Sequence, residues 1–326
     1  MNCPNCLIII LPTDRFCEEC GTPLLANVPI ATVPTSHRVN SAKGCSKCRS
    51  VEIDADGYCV NCGFRNHDTA HDRFEVVLSP QLAGVCDRGL KHHRNEDFLA
   101  LNTIENPSTQ ILVVCDGVSS SQTPELASQT AAQTTCEFLS KNLTQGQTPE
   151  EAMQNAIASA LQAVSAIPCQ SKVSADPPST TLVAAIVQNQ VATIGWLGDS
   201  RAYWLATDSK QLTIDDSWLN DMVSSGKMSE AEAMRSPNAH AITNWLGADV
   251  KDSAKPSIMH FPIPSQGYLL LCTDGLWNYA PETSQILALV QQSGASDAAT
   301  ISRYLVDFAR SQCGHDNITV AVLYLT

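Results

Sequence analysis

Apolar and polar positions follow two different periods along most of this chain. From Phe74 onward, apolar runs of strand length are separated by longer stretches with helical spacing. The strand-length runs cover 75–78, 98–102, 110–116, 181–188, 190–197, 201–206, 267–272 and 317–324. Helical spacing predicts helices over 124–142, 149–166, 229–234, 284–293 and 296–311. The three runs between 181 and 206 are joined by short turns and predict an antiparallel meander, unlike the strand-helix alternation of a doubly wound fold. Two sheets flanked by helices, an α+β architecture, fit this order.

The front of the chain obeys neither period. Eight of the 14 cysteines fall there in four Cys-x2-Cys pairs: Cys3 and Cys6, Cys17 and Cys20, Cys45 and Cys48, Cys59 and Cys62. Ten residues separate the inner cysteines of each set, so one unit occurs twice with the same spacing. Four thiolates on two short knuckles suit tetrahedral zinc, and Gly21 and Gly63 directly after the second knuckles fit tight turns. The units resemble zinc ribbons, at 1–25 and 43–66. Each would hold one structural Zn²⁺ that supplies most of its folding energy, because so short a segment buries little core. A closed four-thiolate site leaves no open position for catalysis; iron is the alternative occupant. Residues 26–42, rich in Pro, Ser, Thr and Ala, read as a linker, and a second joint leads into the large domain at 72–326.

Composition narrows the function classes. With 326 residues, 44% apolar and 16% charged, the chain has material for a well-buried core. No run approaches the roughly 20 apolar residues of a membrane span, and the opening residues do not form a secretory signal, so a cytoplasmic location is expected. The net charge of −13 argues against broad capture of nucleic acid.

The acids sit where strands end. Asp116 closes the run Ile111 to Cys115, Asp199 follows Ile194 to Gly198, and Asp274 follows Leu269 to Thr273. Asp97 opens a run and Asp316 precedes another. A carboxylate at the edge of a core strand is costly unless it is exposed, paired or bound to a cation. Each acid alone has a plain alternative as a turn or cap residue. Several together, with no His-rich partner set, point to oxygen-ligated hard cations, Mg²⁺ or Mn²⁺.

Six motifs then carry a family resemblance: Asn95-Glu96-Asp97, Val114-Cys115-Asp116-Gly117, Ser179-Thr180-Thr181, Gly198-Asp199-Ser200-Arg201, Thr273-Asp274-Gly275-Leu276-Trp277 and Asp316-Asn317-Ile318-Thr319. In this order they resemble the metal-dependent, type 2C serine/threonine protein phosphatases, over roughly 74–326. The resemblance implies a sandwich of two antiparallel β-sheets with helices on both outer faces and metals at one end. It implies that Asp116, Asp274 and Asp316 hold a binuclear Mn²⁺ or Mg²⁺ centre, with Asp116 bridging and the Gly117 carbonyl as a further ligand. Glu96 and Asp97 would orient metal-bound waters, and Asp199 with Asp274 would offer a weaker third-metal site. Phosphoproteins are the implied substrates, and a protein kinase that shares their targets is the suggested partner. A catalytically silent module that keeps the fold and binds phosphoproteins is the rival reading.

The departures from the family pattern matter as much. His92 stands where the family often has a phosphate-clamping Arg, so His92, or Lys91 or Arg94 from the same loop, would substitute for it, with bidentate geometry only from Arg94. Val118-Ser119-Ser120-Ser121 replaces a glycine-rich turn, and Asn278 stands in place of the usual acid four residues beyond Asp274. Residues 215–247 resemble the family's helical flap near the catalytic mouth, with a capping box from Ser229 to Glu232 and with Trp and Met residues expected in the core. The six remaining cysteines are expected to act as small apolar residues.

Overall fold

The structure, a computed structural model, describes residues 48, 50–51, 59–61, 72–169, 176–250 and 254–325. The chain divides into two compact units, Met1–Asp72 and Arg73–Thr326. In the first unit the Sγ atoms of Cys48 and Cys59 lie 3.3 Å apart, and Asn61 Nδ2 donates to Cys48 Sγ at 3.6 Å. The other six cysteines of the four pairs, and the linker at 26–42, lie outside the described residues.

The second unit begins with β1 (Arg73–Val77), β2 (Leu82–Asp87), β3 (Asp97–Ile104) and β4 (Thr109–Asp116), followed by the long helices α1 (Pro124–Thr144) and α2 (Pro149–Ser165). Next come β5 (Ser179–Thr180), β6 (Leu182–Gln188), β7 (Val191–Leu197), β8 (Arg201–Leu205) and β9 (Lys210–Gln211). Short helices α3 (Trp218–Ser224) and α4 (Glu230–Ala233) precede β10 (Leu246–Gly247), β11 (Ser257–Pro262) and β12 (Gly267–Cys272). The chain finishes with α5 (Asp274–Trp277), α6 (Thr283–Gln292), α7 (Ala298–Ser311) and β13 (Ile318–Leu325).

One sheet has the order β1-β2-β13-β12-β8-β9 and the other β11-β7-β6-β4-β3, with every pairing antiparallel. Strand alternation makes a three-layer core. On β4, Leu112 and Val114 point inward to meet Leu269 and Leu271 of β12 and Trp204 of β8 between the sheets. Ile111, Val113 and Cys115 point outward against Ala131, Leu139, Met153 and Ile157 of α1 and α2. On the opposite outer face, Leu270 and Cys272 pack under Ile286 of α6 and Leu305 of α7. Helices thus cover both outer faces, as the family resemblance implied.

Local signals start these helices. Pro stands in the first turn of α2 behind Thr148, whose side chain accepts from the Glu151 backbone N–H, and Asp297 accepts from the Thr300 N–H ahead of α7 at 2.8 Å. Among the described residues no helix is long and apolar enough to cross a membrane.

Four readings are corrected. Residues 181–206 are not one meander: β6 and β7 form a hairpin, but β8 leaves for the other sheet and pairs with β12. The chain crosses at Gly198, whose φ of +96° a side chain would strain, and Trp204 and Ala202 then join the core between the sheets. Strands β2 and β11 lie outside the predicted runs; β2 is short, carries Gly84, and is buried throughout. In the flap, Met228 and Met234 are exposed rather than in the core. Of the six cysteines expected to be apolar filler, Cys86, Cys115, Cys136 and Cys272 are buried, whereas Cys169 and Cys313 are exposed.

Candidate active site

The sandwich brings the strand-end acids to one end. Asp97 opens β3 and Asp116 closes β4, and the antiparallel register places them directly opposite each other. Asp199 follows β7, Asp274 follows β12, and Asp316 precedes β13, which pairs with β12. At the far end of the sandwich a cleft of about 520 Å³ is lined by Gln110, Gln188 and Gln266 among other uncharged residues. The buried acids gather at the opposite end, whereas the titratable pair near this cleft, His260 and Glu150 at 3.3 Å, is exposed.

Burial and mutual repulsion define the electrostatics. Asp97 is pushed up to about 8, first by burial and then by the neighbouring Asp316 charge, against hydrogen bonds from Thr319 and Thr273. Burial, with Asp97, Asp274, Asp316 and Asp199 around it, drives Asp116 well above the carboxylate range. Asp274 is raised in the same direction by burial and then by Asp316 and Asp199. Asp199 is pushed to about 7 by burial and then Asp215, with Arg201 opposing. Such shifts mark buried like charges held together without enough positive charge.

A frame of hydroxyls and amides holds the acids in place. Thr273 and Thr319 both donate to Asp97 Oδ2, at 2.8 and 2.7 Å. Asp97 Oδ1 is buried and has no hydrogen-bond partner. The Asp116 main chain is tied to Thr180 and Thr181: the Asp116 N–H donates to Thr181 Oγ1 at 3.1 Å, and the Thr181 N–H and Thr180 hydroxyl donate to its carbonyl at 2.8 Å. Glu96 is buried, receiving Arg94 Nε at 3.0 Å and the Ser119 hydroxyl at 2.5 Å, and its carbonyl accepts the Gly117 N–H at 3.0 Å. Ser119, from the altered loop, thus serves the site.

Asn317 joins the two halves. Its Oδ1 accepts the Glu96 N–H at 2.7 Å, while Nδ2 donates to the carbonyls of Arg88 at 2.8 Å and Arg94 at 3.1 Å. Asn317→Ala leaves the buried Glu96 N–H and two part-buried carbonyls unmatched, and a loss of about 1–3 kcal/mol in urea unfolding is expected. An unchanged midpoint would show that the loops are held elsewhere.

The positions at issue in the sequence fall as follows. His92 Nε2 lies 3.3 Å from Asp316 Oδ1, with the His315 ring 6.3 Å away. Arg94 pairs with Glu96 and also lies 3.6 Å from Glu125. Asn278 Nδ2 donates to Asp274 Oδ2 at 3.1 Å, so at this position an amide meets the acid where the family has a carboxylate. Arg201 forks onto Asp215 and stacks 3.7 Å over Trp277, whose Nε1 donates to the Asp199 carbonyl at 3.0 Å. Sequence reasoning assigned no role to Thr180, Thr181, Thr273, Asn317 or Thr319, although all five lie inside the quoted motifs.

The donor set is all oxygen, carries several charges that repel one another, and leaves Asp97 Oδ1 unmatched; it fits a hard divalent cation. Among the described residues no group of three or more His, Cys, Asp or Glu side chains is placed to hold a metal ion as the side chains stand.

A family model described as Protein phosphatase 2C matches residues 89–307, and one described as Double zinc ribbon matches residues 3–63. The serine/threonine phosphatase stp of Listeria welshimeri is 31% identical over 242 residues, spanning 73% of this chain and 92% of that protein. In crystal structures, the serine/threonine phosphatase Stp1 of Staphylococcus aureus superposes with a TM-score of 0.64 at 24% identity, over 78% of this chain and 98% of its own. The PstP catalytic domain, in complex with 2 manganese ions, superposes with a TM-score of 0.58 at 22% identity, over 78% of this chain and 99% of its own. The ordered acids, their frame and these matches agree: the chain belongs to the protein phosphatase 2C family, with a double zinc ribbon ahead of the phosphatase domain.

Proposed function

We propose that this protein hydrolyses phosphoserine and phosphothreonine in proteins at the carboxylate cluster, using two bound Mn²⁺ or Mg²⁺ ions. The observation that carries the reading is the convergence of buried, mutually repelling acids on one end of the sandwich. Asp116, Asp274 and Asp316, with the Gly117 carbonyl, would hold the pair, and Asp199 a weaker third ion. When bound, the ions lower the pKa of a water to give hydroxide near neutral pH and offset the negative charge of the phosphoryl group.

The chain's own groups do the rest. Asp97 Oδ2 is fixed by two threonines, leaving Oδ1 to accept a proton from water. Glu96, steadied by Arg94 and Ser119, orients a second water. His92 and Arg94 lie on the loop that would receive the phosphate, and their present partners, Asp316 and Glu96, belong to the same site. With an imidazole at position 92, a two-point grip on phosphate would have to come from the Arg94 guanidinium. The strongly acidic surroundings repel phosphate until cations are in place, which makes turnover metal-dependent.

We assign the two zinc ribbons, at 1–25 and 43–66, to recruitment of a partner or substrate, with 72–326 as the hydrolase. A protein kinase acting on the same targets is the partner class that fits this role. The whole chain, zinc-loaded and dialysed, should release phosphate from a phosphothreonine peptide on addition of Mn²⁺ and should release little without it. Folded protein that binds the peptide without turnover would support a silent binding module instead.

A further inference from the structure

Asp87 lies outside the acid cluster, yet it is only 1% exposed and two arginines close on it. It is the last residue of β2. Its Oδ2 accepts from Arg73 Nη1 at 3.2 Å. Its Oδ1 receives the Gly89 N–H at 2.8 Å and Nη1 of Arg310, from α7. Arg310 Nη1 also reaches the Gly89 carbonyl at 3.5 Å.

This pair grips a turn that touches the site. Gly89 has φ +73°, and a Cβ there would stand 2.0 Å from the Asp316 carbonyl oxygen, so the turn presses on the main chain of that acid. The Leu90 N–H donates to the Gly314 carbonyl at 2.7 Å, and Arg88 Nη1 donates to the His92 carbonyl. An unbroken series of contacts therefore runs from Arg310 and Asp87, through Gly89, to Asp316 and His92.

Only the carboxylate is buried, both arginine side chains being about one-third exposed, so the pairing adds little stability. What it does supply is direction: the carboxylate oxygen that takes both the Arg310 guanidinium and the Gly89 N–H ties the turn to α7. We propose that the Asp87–Arg310 pair is a positioning device, which fixes the 87–90 turn and through it sets Asp316 and the 91–94 loop for capture of metal and phosphate. The proposal rests on the phosphatase reading of the site. Arg73 grips the other carboxylate oxygen and also pairs with Asp307 at 2.8 Å. Its loss leaves Arg310, Gly89 and Asp87 together.

The test uses the whole zinc-loaded chain and the variants Arg310→Gln, Arg310→Lys and Arg73→Gln. KM and kcat on a phosphothreonine peptide, the competitive Ki of inorganic phosphate, the Mn²⁺ dissociation constant from electron paramagnetic resonance, and the melting temperature are measured. Arg310→Gln should raise KM, Ki and the Mn²⁺ constant about tenfold with kcat within about threefold, as for outer partners of metal ligands. Arg310→Lys should restore most of the loss, and Arg73→Gln should stay close to the unaltered chain. Should Arg310→Gln fail to fold, Asp87→Asn gives the same readouts. A structural role alone would lower activity with the folded fraction and leave all three constants unchanged, and that result overturns the proposal. If the unaltered chain shows no Mn²⁺-dependent turnover, the phosphatase reading fails, and the Mn²⁺ constant of Arg310→Gln still decides the positioning role.

Discussion

Asp116→Asn is expected to lower Mn²⁺-dependent phosphate release on the order of 10³-fold while leaving the metal-free fold at least as stable. The two halves of this result have one cause. Asp116 is the acid around which Asp97, Asp274, Asp316 and Asp199 all act to disfavour charge. With cations bound, that carboxylate would be one of their ligands, and its loss would remove several kcal/mol of charge stabilisation from the reacting phosphoryl group. Without cations, the same charge is a liability that the amide removes. The Asp116 backbone bonds to Thr180 and Thr181 do not depend on the side chain, so the strand end should remain in place. Activity that survives in Asp116→Asn would move the chemistry away from this cluster. A variant that unfolds would show the carboxylate to be structural.

The metal-free protein is expected to lose stability as pH rises from about 4 to about 8, and Mn²⁺ is expected to restore it. The folded protein holds Asp97 up to about 8 and Asp199 up to about 7, and burial drives Asp116 and Asp274 in the same direction. In the unfolded chain the same groups titrate near 4. Between these limits the folded state binds more protons than the unfolded state, so each step upward in pH favours unfolding. The contribution is fully present below the unfolded value and is gone once the folded values are passed. Its size is on the order of several kcal/mol, and about 2–4 °C per kcal/mol for a domain of this size makes it visible in a melt. Saturating Mn²⁺ at 100 times its dissociation constant should return about 2.7 kcal/mol at pH 8. Thermal melts of zinc-loaded, Mn²⁺-free protein at pH 5 and pH 8 measure the effect. Where stability falls as expected, Asp116→Asn should flatten the slope; equal or higher stability at pH 8 would mean that the acids do not repel one another as placed.

Much of this site could be read before the fold was known, and for a physical reason. A carboxylate after an apolar run is a local signal, because the run fixes the strand and the acid marks where it meets solvent or a cation. Asp116, Asp274 and Asp199 follow such runs, Asp97 and Asp316 precede them, and all five arrive at one end of the sandwich. Asp87 also follows a short apolar run, Leu82 to Cys86, but its role is not local: it ends β2, and its arginines lie 14 and 223 residues away. The crossing of β8 to the second sheet was hidden for a related reason: a short turn after β7 looks the same whether the next strand pairs beside it or across the core. The roles of Thr273, Thr319 and Asn317 come from contacts 176, 222 and 221 residues apart, which no local pattern encodes.

The most direct test of the account follows Mn²⁺ binding and turnover in one titration of the whole zinc-loaded chain. Electron paramagnetic resonance counts bound Mn²⁺ without interference from zinc, while phosphate release from a phosphothreonine peptide is read from the same samples. The account predicts two ions bound per chain, turnover that rises as the second fills, and loss of both in Asp274→Ala. Full turnover with no Mn²⁺ or Mg²⁺ bound, or two bound ions that persist in Asp274→Ala, would contradict it.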